Sequence, residues 1–490
     1  MGRPSLQILF PVLALSALLL IHPLTVRAQQ AEPAPTGVLA MLPGDAVTAH
    51  AAEGDIPAYT ATAGTLTLRD QNGERLASIF YTAYVAKDGP PGRPVTFAFN
   101  GGPGASSAYL HLGLVGPRVA EFPMQADGAG ARLRSNPDTW LRFTDLVLID
   151  PVGTGWSRAA KAESAKDFWN VRTDAQVLAK TIALYVAKNQ RGAAPKYLLG
   201  ESYGGFRAAK VARTLQQEQG LVVSGIVMVS PFLDGALHSG TRFALGAALQ
   251  LPALAAAELD RRGRFTPEAL AEAERFAMTE YLITLAGPPP QGEKAETFYR
   301  RVAALTGIPV EVVARGRGFV RSNYVKHAQP SAVVSPYDAS FAAPDPFPES
   351  SDADGGDPIL DGFLQALGGL FVTYARDTLG YKTDITFELL NREVSGKWDW
   401  GGGRSQANAT RDLRELLALN AGFRVLIAHG RSDVVTPYGI SRYIIDHLPP
   451  IGTPDRVQLE TYKGGHMFYL LPEARTAFTA RAAAFYRGEP

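Results

Sequence analysis

Residues 197–199 form a short apolar run, and Gly200-Glu201-Ser202-Tyr203-Gly204 follows at once, opening into the helix-compatible stretch 206–212. A strand, a Gly-x-Ser-x-Gly pentapeptide and a helix in succession describe one very tight turn. Side chains flanking the serine would clash in such a turn, which is why glycines stand there. The turn lifts the hydroxyl above the sheet edge, and the following helix N-terminus favours developing negative charge. A chain that carries it needs a sheet with helices packed on it, and Ser202 becomes the candidate nucleophile.

The rest of the pattern agrees. Residues 95–99, 146–149, 222–229 and 425–428 are short apolar runs bounded by Gly, Pro, Asp or Ser, as buried parallel strands are. Residues 174–188 carry Val177, Leu178, Ile182, Leu184 and Val186 at roughly helical spacing. Alternating strand and helix predicts an α/β fold with a mostly parallel central sheet. Ahead of it, 58–68 and 76–85 alternate in strand fashion around Asp70-Gln71-Asn72-Gly73, which predicts an N-terminal antiparallel hairpin.

The alternation breaks between 236 and 420. Residues 242–262, 267–286 and 360–376 are apolar at helical spacing, and a Pro/Asp/Gly loop spans 342–358. We read this interval as an inserted, mainly helical cap over one end of the sheet, with 46–235 and 421–490 as the core. The N-terminus reads differently. Arg3 precedes an almost wholly apolar run, 6–21, and Val26-Arg27-Ala28 offers small residues at a cleavage site. Residues 1–28 are therefore expected to be a cleavable signal peptide, and the Ala/Pro/Gln-rich 29–45 a flexible lead-in. The expected product is exported, periplasmic or secreted, and carries no membrane segment after cleavage.

Composition removes several alternatives. The chain contains no cysteine, which excludes disulfides, thiolate nucleophiles and cysteine-held metals. Lys+Arg is 48 against Asp+Glu 47, so no basic excess exists to neutralise nucleic-acid phosphates. We expect no nucleic-acid partner, no metal and no organic cofactor.

A serine nucleophile needs a base and an orienting acid, and in folds with this turn they follow it in the order acid, then His. Of eight histidines, His466 stands in the glycine loop Lys463-Gly464-Gly465-His466-Met467 after the strand-like 457–462. His22 is in the leader; His50, His111, His238 and His327 fall outside such a context. His429 ends a strand, and His447 lies at a helix-like end. Asp433 sits just after 425–428 in His429-Gly430-Arg431-Ser432-Asp433 and is the candidate acid, although an aspartate closing an Asx turn would look the same. An oxyanion hole needs two backbone N–H groups. One belongs to Tyr203; the other is expected from the glycine loop Asn100-Gly101-Gly102-Pro103-Gly104. Trp398 and Trp400 could line a pocket or simply pack. The acidic stretch 352–357 reads as a solvated loop, and Gly401-Gly402-Gly403 as a flexible turn.

Taken in order, Asn100-Gly101-Gly102-Pro103-Gly104 with Ser106-Ser107, Asp150-Pro151-Val152-Gly153-Thr154-Gly155 with Ser157, Gly200 to Gly205, the Asp433 loop and Gly465-His466-Met467 resemble the serine carboxypeptidase family. The resemblance implies an α/β-hydrolase fold and release of C-terminal residues from peptides bearing a free C-terminal carboxylate. It implies Ser202 as nucleophile, His466 as general base and acid, Asp433 as orienting acid, and Gly102 and Tyr203 as oxyanion donors. It implies that Asn100, Gly101 and a protonated Glu201 bind the substrate carboxylate, since two carboxylates repel at contact. Two positions depart from the family pattern: Ala98 stands where a Trp is usual, and Leu114 where a Glu is frequent. They keep open a same-fold serine esterase, acyltransferase or peptidase of other specificity. A non-catalytic exported binding protein is a further alternative, and the sequence leaves the oligomeric state open.

Overall fold

The computed structural model describes residues 1–2, 37–90, 92–123 and 128–489. Residues 3–28 of the expected signal peptide and 29–36 of the expected lead-in lie outside the described residues.

Ten strands make the principal sheet: β1 (Ala46–His50), β2 (Tyr59–Arg69), β3 (Arg75–Ala86), β4 (Val95–Phe99), β5 (Asp145–Ile149), β6 (Arg158–Ala159), β7 (Lys196–Glu201), β8 (Gly225–Val229), β9 (Arg424–Gly430) and β10 (Val457–Tyr462). Their order is β1-β2-β3-β5-β4-β7-β8-β9-β10, with β6 paired to β3. The first three strands run antiparallel, and β5 to β10 along that path run parallel. The expected hairpin is β2–β3. Strand β1, a five-residue edge segment inside no recognised pattern, adds to it.

The central strands are buried on both faces, so their sequences are continuous apolar runs and the period of two is hidden in them. It reappears in packing. Phe97, Phe99, Leu198, Ile226, Met228, Val425 and Ile427 join one hydrophobic cluster with helices α1 (Val171–Lys188) and α2 (Tyr203–Glu218). Ala98, Leu199, Val227, Val229, Leu426 and Ala428 join the other, under helix α3 (Pro472–Arg487). Neighbouring residues thus serve opposite faces.

The interval 236–420 is mainly helical, with helices Ala244–Arg261, Pro267–Phe276, Gly292–Thr306 and Ala366–Asp377 among others, and one small hairpin, Ala332–Val334 with Ala342–Pro344. Its parts differ in burial partners. Helix Ala244–Arg261 anchors a cluster mostly of its own, whereas Leu360, Leu367, Phe371 and Leu379 pack in the same cluster as Phe80, Tyr84 and Leu148 of the sheet. The short bridges Ala105–Leu390 and Gly155–Glu388 fasten this segment beside the glycine loop. Among the described residues, no helix is long and apolar enough to cross a membrane.

Candidate active site

Loops at the C-terminal ends of β4, β7, β8, β9 and β10 converge on one cavity. Ser202 sits between β7 and α2 with φ 61° and ψ −125°, a left-handed φ that side chains rarely adopt. The glycines around it are sterically required. A Cβ on Gly200 would stand 1.9 Å from Gly204 O, one on Gly204 2.6 Å from Phe99 O, and one on Gly205 2.5 Å from Pro231 Cβ. Ser202 N donates to Val229 O at 2.9 Å, and Ser202 O accepts from Gly205 N and Phe232 N at 2.9 and 3.0 Å. The turn is thereby locked to β8 and the segment after it.

The glycine loop after β4 leans on this turn. A Cβ on Gly101 would stand 2.6 Å from both Glu201 O and Tyr203 N, so only glycine allows the approach. Gly102, with φ 96°, follows it through a cis bond to Pro103. Tyr203 is the first residue of α2, so its N–H has no acceptor within the helix. Gly101, Gly102, Ser202, Tyr203 and His466 all line the cavity, which is about 230 Å³ in volume.

Asp433 lies three residues past β9, and His466 four past β10. Imidazole Nδ1 is 2.8 Å from Asp433 Oδ2, with both side chains almost fully buried. The two loops touch where glycines permit: a Cβ on Gly430 would meet Gly465 O at 1.9 Å. Asp433 Oδ1 accepts from Val435 N and Thr436 N at 2.8 and 2.9 Å. The Asx turn and the contact with His466 are therefore made by the two oxygens of one carboxylate. Thr436 Oγ1 lies 2.7 Å from Asp433 Oδ2 and 2.8 Å from Ser230 O, and so fixes the second oxygen. Burial lowers the affinity of His466 for its proton. The charge and hydrogen bond of Asp433, with the charge of Glu201, outweigh that effect and hold the imidazole above its ordinary pKa.

Glu201 is 1 % exposed. Its Oε2 accepts from Asn100 Nδ2 at 2.9 Å and from Tyr469 OH at 2.7 Å. Burial pushes its pKa up to about 7, while His466 and the two donors pull the other way. Asn100 is held in turn: its Oδ1 accepts from Leu110 N at 3.0 Å, and its carbonyl accepts from Arg207. Arg207 pairs with Asp174 at 2.7 Å, an ion pair buried between α2 and α1.

The structure thus brings Asn100, Gly101, Gly102, Glu201, Ser202, Tyr203 and His466 to one cavity wall, with Asp433 directly behind His466. Ala98 and Leu114 are fully buried in the core and line no part of that wall. Two of the other histidines are engaged elsewhere: His429 Nε2 bonds Ser441 Oγ at 2.8 Å, and His111 Nε2 bonds Tyr84 OH at 2.6 Å. Among the described residues, no cluster of three His, Asp or Glu side chains is placed to hold a metal ion.

Sequence reasoning missed several contributors. Tyr469 supports Glu201 from a turn three residues after His466. Tyr109 lines the cavity with a buried, unpartnered hydroxyl. Tyr337, from the insertion, accepts from His466 N at 2.5 Å and sets its ring edge-on to the imidazole at 5.3 Å. Of the two tryptophans, Trp400 lines the cavity, while Trp398 packs edge-on against Tyr203 at 5.3 Å.

Residues 54–244 match the serine carboxypeptidase family model, a segment that contains the glycine loop and Ser202 and ends before Asp433 and His466. Serine carboxypeptidase-like 44 of Arabidopsis thaliana is 30% identical over 145 residues, 28% of this chain and 27% of that protein. Serine carboxypeptidase-like 34 of the same plant is 27% identical over 161 residues, 32% of this chain and 30% of that protein. The chain thus spans less than a third of the length of these curated relatives. The crystal structure of Kex1(delta)p, a prohormone-processing carboxypeptidase from Saccharomyces cerevisiae, superposes with a TM-score of 0.58 over 89% of this chain and 92% of its own, at 17% identity. These matches make the chain similar to the serine carboxypeptidase family, over residues 54–244 for the family model. The fold is that of the α/β-hydrolases. In this chain, Glu201 takes its second side-chain donor from Tyr469, and positions 98 and 114 are filled by core residues.

Proposed function

We propose that the protein is an exported serine carboxypeptidase that releases C-terminal amino acids from peptides through an acyl-enzyme on Ser202. Ser202 Oγ attacks the last peptide carbonyl while His466 takes its proton. Asp433 holds the imidazole in the tautomer with Nδ1–H and stabilises the imidazolium that forms. The oxyanion is received by the N–H groups of Gly102 and Tyr203. His466 then gives its proton to the departing amino acid, and water, activated by the same imidazole, hydrolyses the ester.

One observation carries the exopeptidase reading: the buried Asn100–Glu201 pair opens on the same cavity as Ser202. A carboxyl with pKa near 7 is largely protonated in acid and can then donate to a substrate carboxylate. Asn100 supplies its amide beside it, and the unpartnered Tyr109 hydroxyl is a third donor to the same group. A same-fold esterase or acyltransferase would need Ser202, His466 and Asp433 but not this carboxylate-binding end.

The test uses the wild type and Ser202→Ala with matched N-blocked dipeptides, one ending in a free carboxylate and one amidated, from about pH 4 to 8 to span carboxyl and imidazole titrations. Cleavage of the free acid alone, strongest in acid and absent in the variant, is expected. Equal cleavage of both peptides, or cleavage of an ester only, refutes the exopeptidase reading.

A further inference from the structure

The cavity at Ser202 has a second end that the carboxylate-binding reading leaves unused. Phe232, Trp400, Arg404 and Val435 line it there. Arg404 and Val435 also line an adjoining cavity of about 380 Å³, whose walls include neither Asn100 nor Glu201. The adjoining space therefore shares no lining residue with the proposed carboxylate site.

Its walls are cationic. Arg404 and Arg321 both line it, and among the described residues no Asp or Glu does. The Arg404 guanidinium lies 5.2 Å over the Phe232 ring and 5.8 Å over Trp400. These rings stabilise a cation without neutralising it, and no carboxylate is among the groups acting on it. Arg321 donates to the Val434 carbonyl at 3.3 Å, and the acid nearest to it in effect, Asp433, is already committed to His466. The His238 ring lies tilted against Phe232 at 4.8 Å and leaves a buried, unpartnered Nε2 in the same wall. Burial holds that imidazole neutral, at a pKa of about 4, so its free nitrogen adds a hydrogen-bonding position rather than a third charge. The remaining orphan, Gln250 Oε1, is an acceptor and contributes nothing to binding an anion.

Two arginines that make no ion pair among the described residues, one of them lining the catalytic cavity, call for an anion from the ligand. The Tyr203 ring, next in sequence to Ser202, packs edge-on against Trp400 at 5.3 Å, so the cationic end reaches the nucleophile's turn through residues other than Asn100 and Glu201. A substrate bound by its terminal carboxylate at Asn100 and Glu201 lays its acyl portion there. We infer that Arg404, backed by Arg321, forms an anion-binding subsite that selects peptides with Asp or Glu immediately before the released residue. This rests on the carboxypeptidase reading for the orientation of the peptide.

The experiment compares kcat/KM for N-blocked Glu-Leu and the isosteric Gln-Leu dipeptide, so that only charge differs. A charge-assisted hydrogen bond at a solvent-open site corresponds to about a tenfold preference for Glu. Arg404→Met is expected to bring the Glu:Gln ratio near one, Arg404→Lys to retain most of it, and Arg321→Met to lower it partway. Added salt should lower the wild-type ratio, and this arm stands even where a variant fails to fold, as judged by fluorophosphonate labelling. A wild type that cleaves no free-acid peptide sinks the carboxypeptidase reading. The same Glu and Gln pair presented as N-blocked p-nitrophenyl esters then tests the subsite by itself. A wild-type ratio near one on peptides and esters alike, or a ratio unchanged in Arg404→Met, overturns the subsite.

Discussion

Replacing Glu201 by Gln separates the effect of its charge from the effect of its shape. Burial raises the Glu201 pKa from 4.5 to about 7, and at about 1.4 kcal/mol per unit this corresponds to about 3 kcal/mol. The sign follows from which state holds the proton more tightly. Here it is the folded state, so the contribution to stability is complete below about pH 4.5 and is lost as pH rises to about 7. The amide introduced by Glu201→Gln keeps an oxygen to accept from Asn100 and Tyr469 but never ionises. Glu201→Gln and wild type should therefore be similarly stable at pH 4.5, and the variant should be more stable by up to about 3 kcal/mol at pH 8. Urea unfolding of both proteins at pH 4.5, 6 and 8 measures the gap, read from the midpoint and slope. The same substitution should flatten the alkaline rise in KM for a free-acid peptide, which in the wild type should reach about tenfold per pH unit above 7. A gap that stays constant from pH 4.5 to 8 would refute the claim that this carboxyl is protonated in the folded protein near neutrality.

Further substitutions probe the supports of the site. Asp433→Asn removes the charge that holds His466 above its ordinary pKa and favours the wrong imidazole tautomer. We expect kcat to fall about 10³- to 10⁴-fold with the unfolding midpoint nearly unchanged. Arg207→Met leaves the Asp174 carboxylate buried without its partner, at a cost of about 3–5 kcal/mol. Because burial already raises the Asp174 pKa, that loss should shrink in acid, and adding Asp174→Asn should restore part of it. Tyr109→Phe deletes a buried hydroxyl with no partner in the protein. It should raise KM for a free-acid peptide about tenfold while sparing fluorophosphonate labelling of Ser202; unchanged KM would remove Tyr109 from the carboxylate site.

The difference between what the sequence disclosed and what it hid is one of range. The turn at Ser202 is written in residues adjacent in the chain, Gly200 to Gly205, although only Gly200 is forced within the turn, and Gly204 and Gly205 are forced by Phe99 O and Pro231 Cβ. The Asp433 loop was legible because it follows a short apolar run that reads as a buried strand, and the His466 loop because glycines follow 457–462, an edge strand of mixed polar and apolar residues that are mostly half-buried. Strand β1 was not, since five residues at a sheet edge carry too little pattern to distinguish them from a lead-in. Tyr469, Tyr109 and Tyr337 were missed for a different reason. Each acts through one hydroxyl, carbonyl or ring edge brought in by tertiary packing, and a tyrosine has no spacing that announces such a contact. Arg404 follows three glycines that read as a flexible turn. Only the fold shows that Phe232, from the loop after β8, and Trp400 meet beneath its guanidinium.

The two ends of the cavity, on the functions proposed here, set opposite demands on protons. At one end Glu201 must be protonated to receive a carboxylate, which favours pH below about 7. At the other, Arg404 is charged throughout, so binding there depends on the substrate: a penultimate Glu must be ionised, which favours pH above its ordinary value of about 4.3. Between them His466 must be neutral to act as base, and Asp433 raises its pKa, which trims the acid side again. The acid limb for a penultimate Glu substrate should therefore combine His466 and the substrate, whereas a penultimate Gln substrate should show the His466 limb alone. The alkaline limb belongs to Glu201 and should be common to both. A substrate-dependent acid limb beside a shared alkaline limb is thus the kinetic consequence of placing a titrating carboxyl and a cation around one serine.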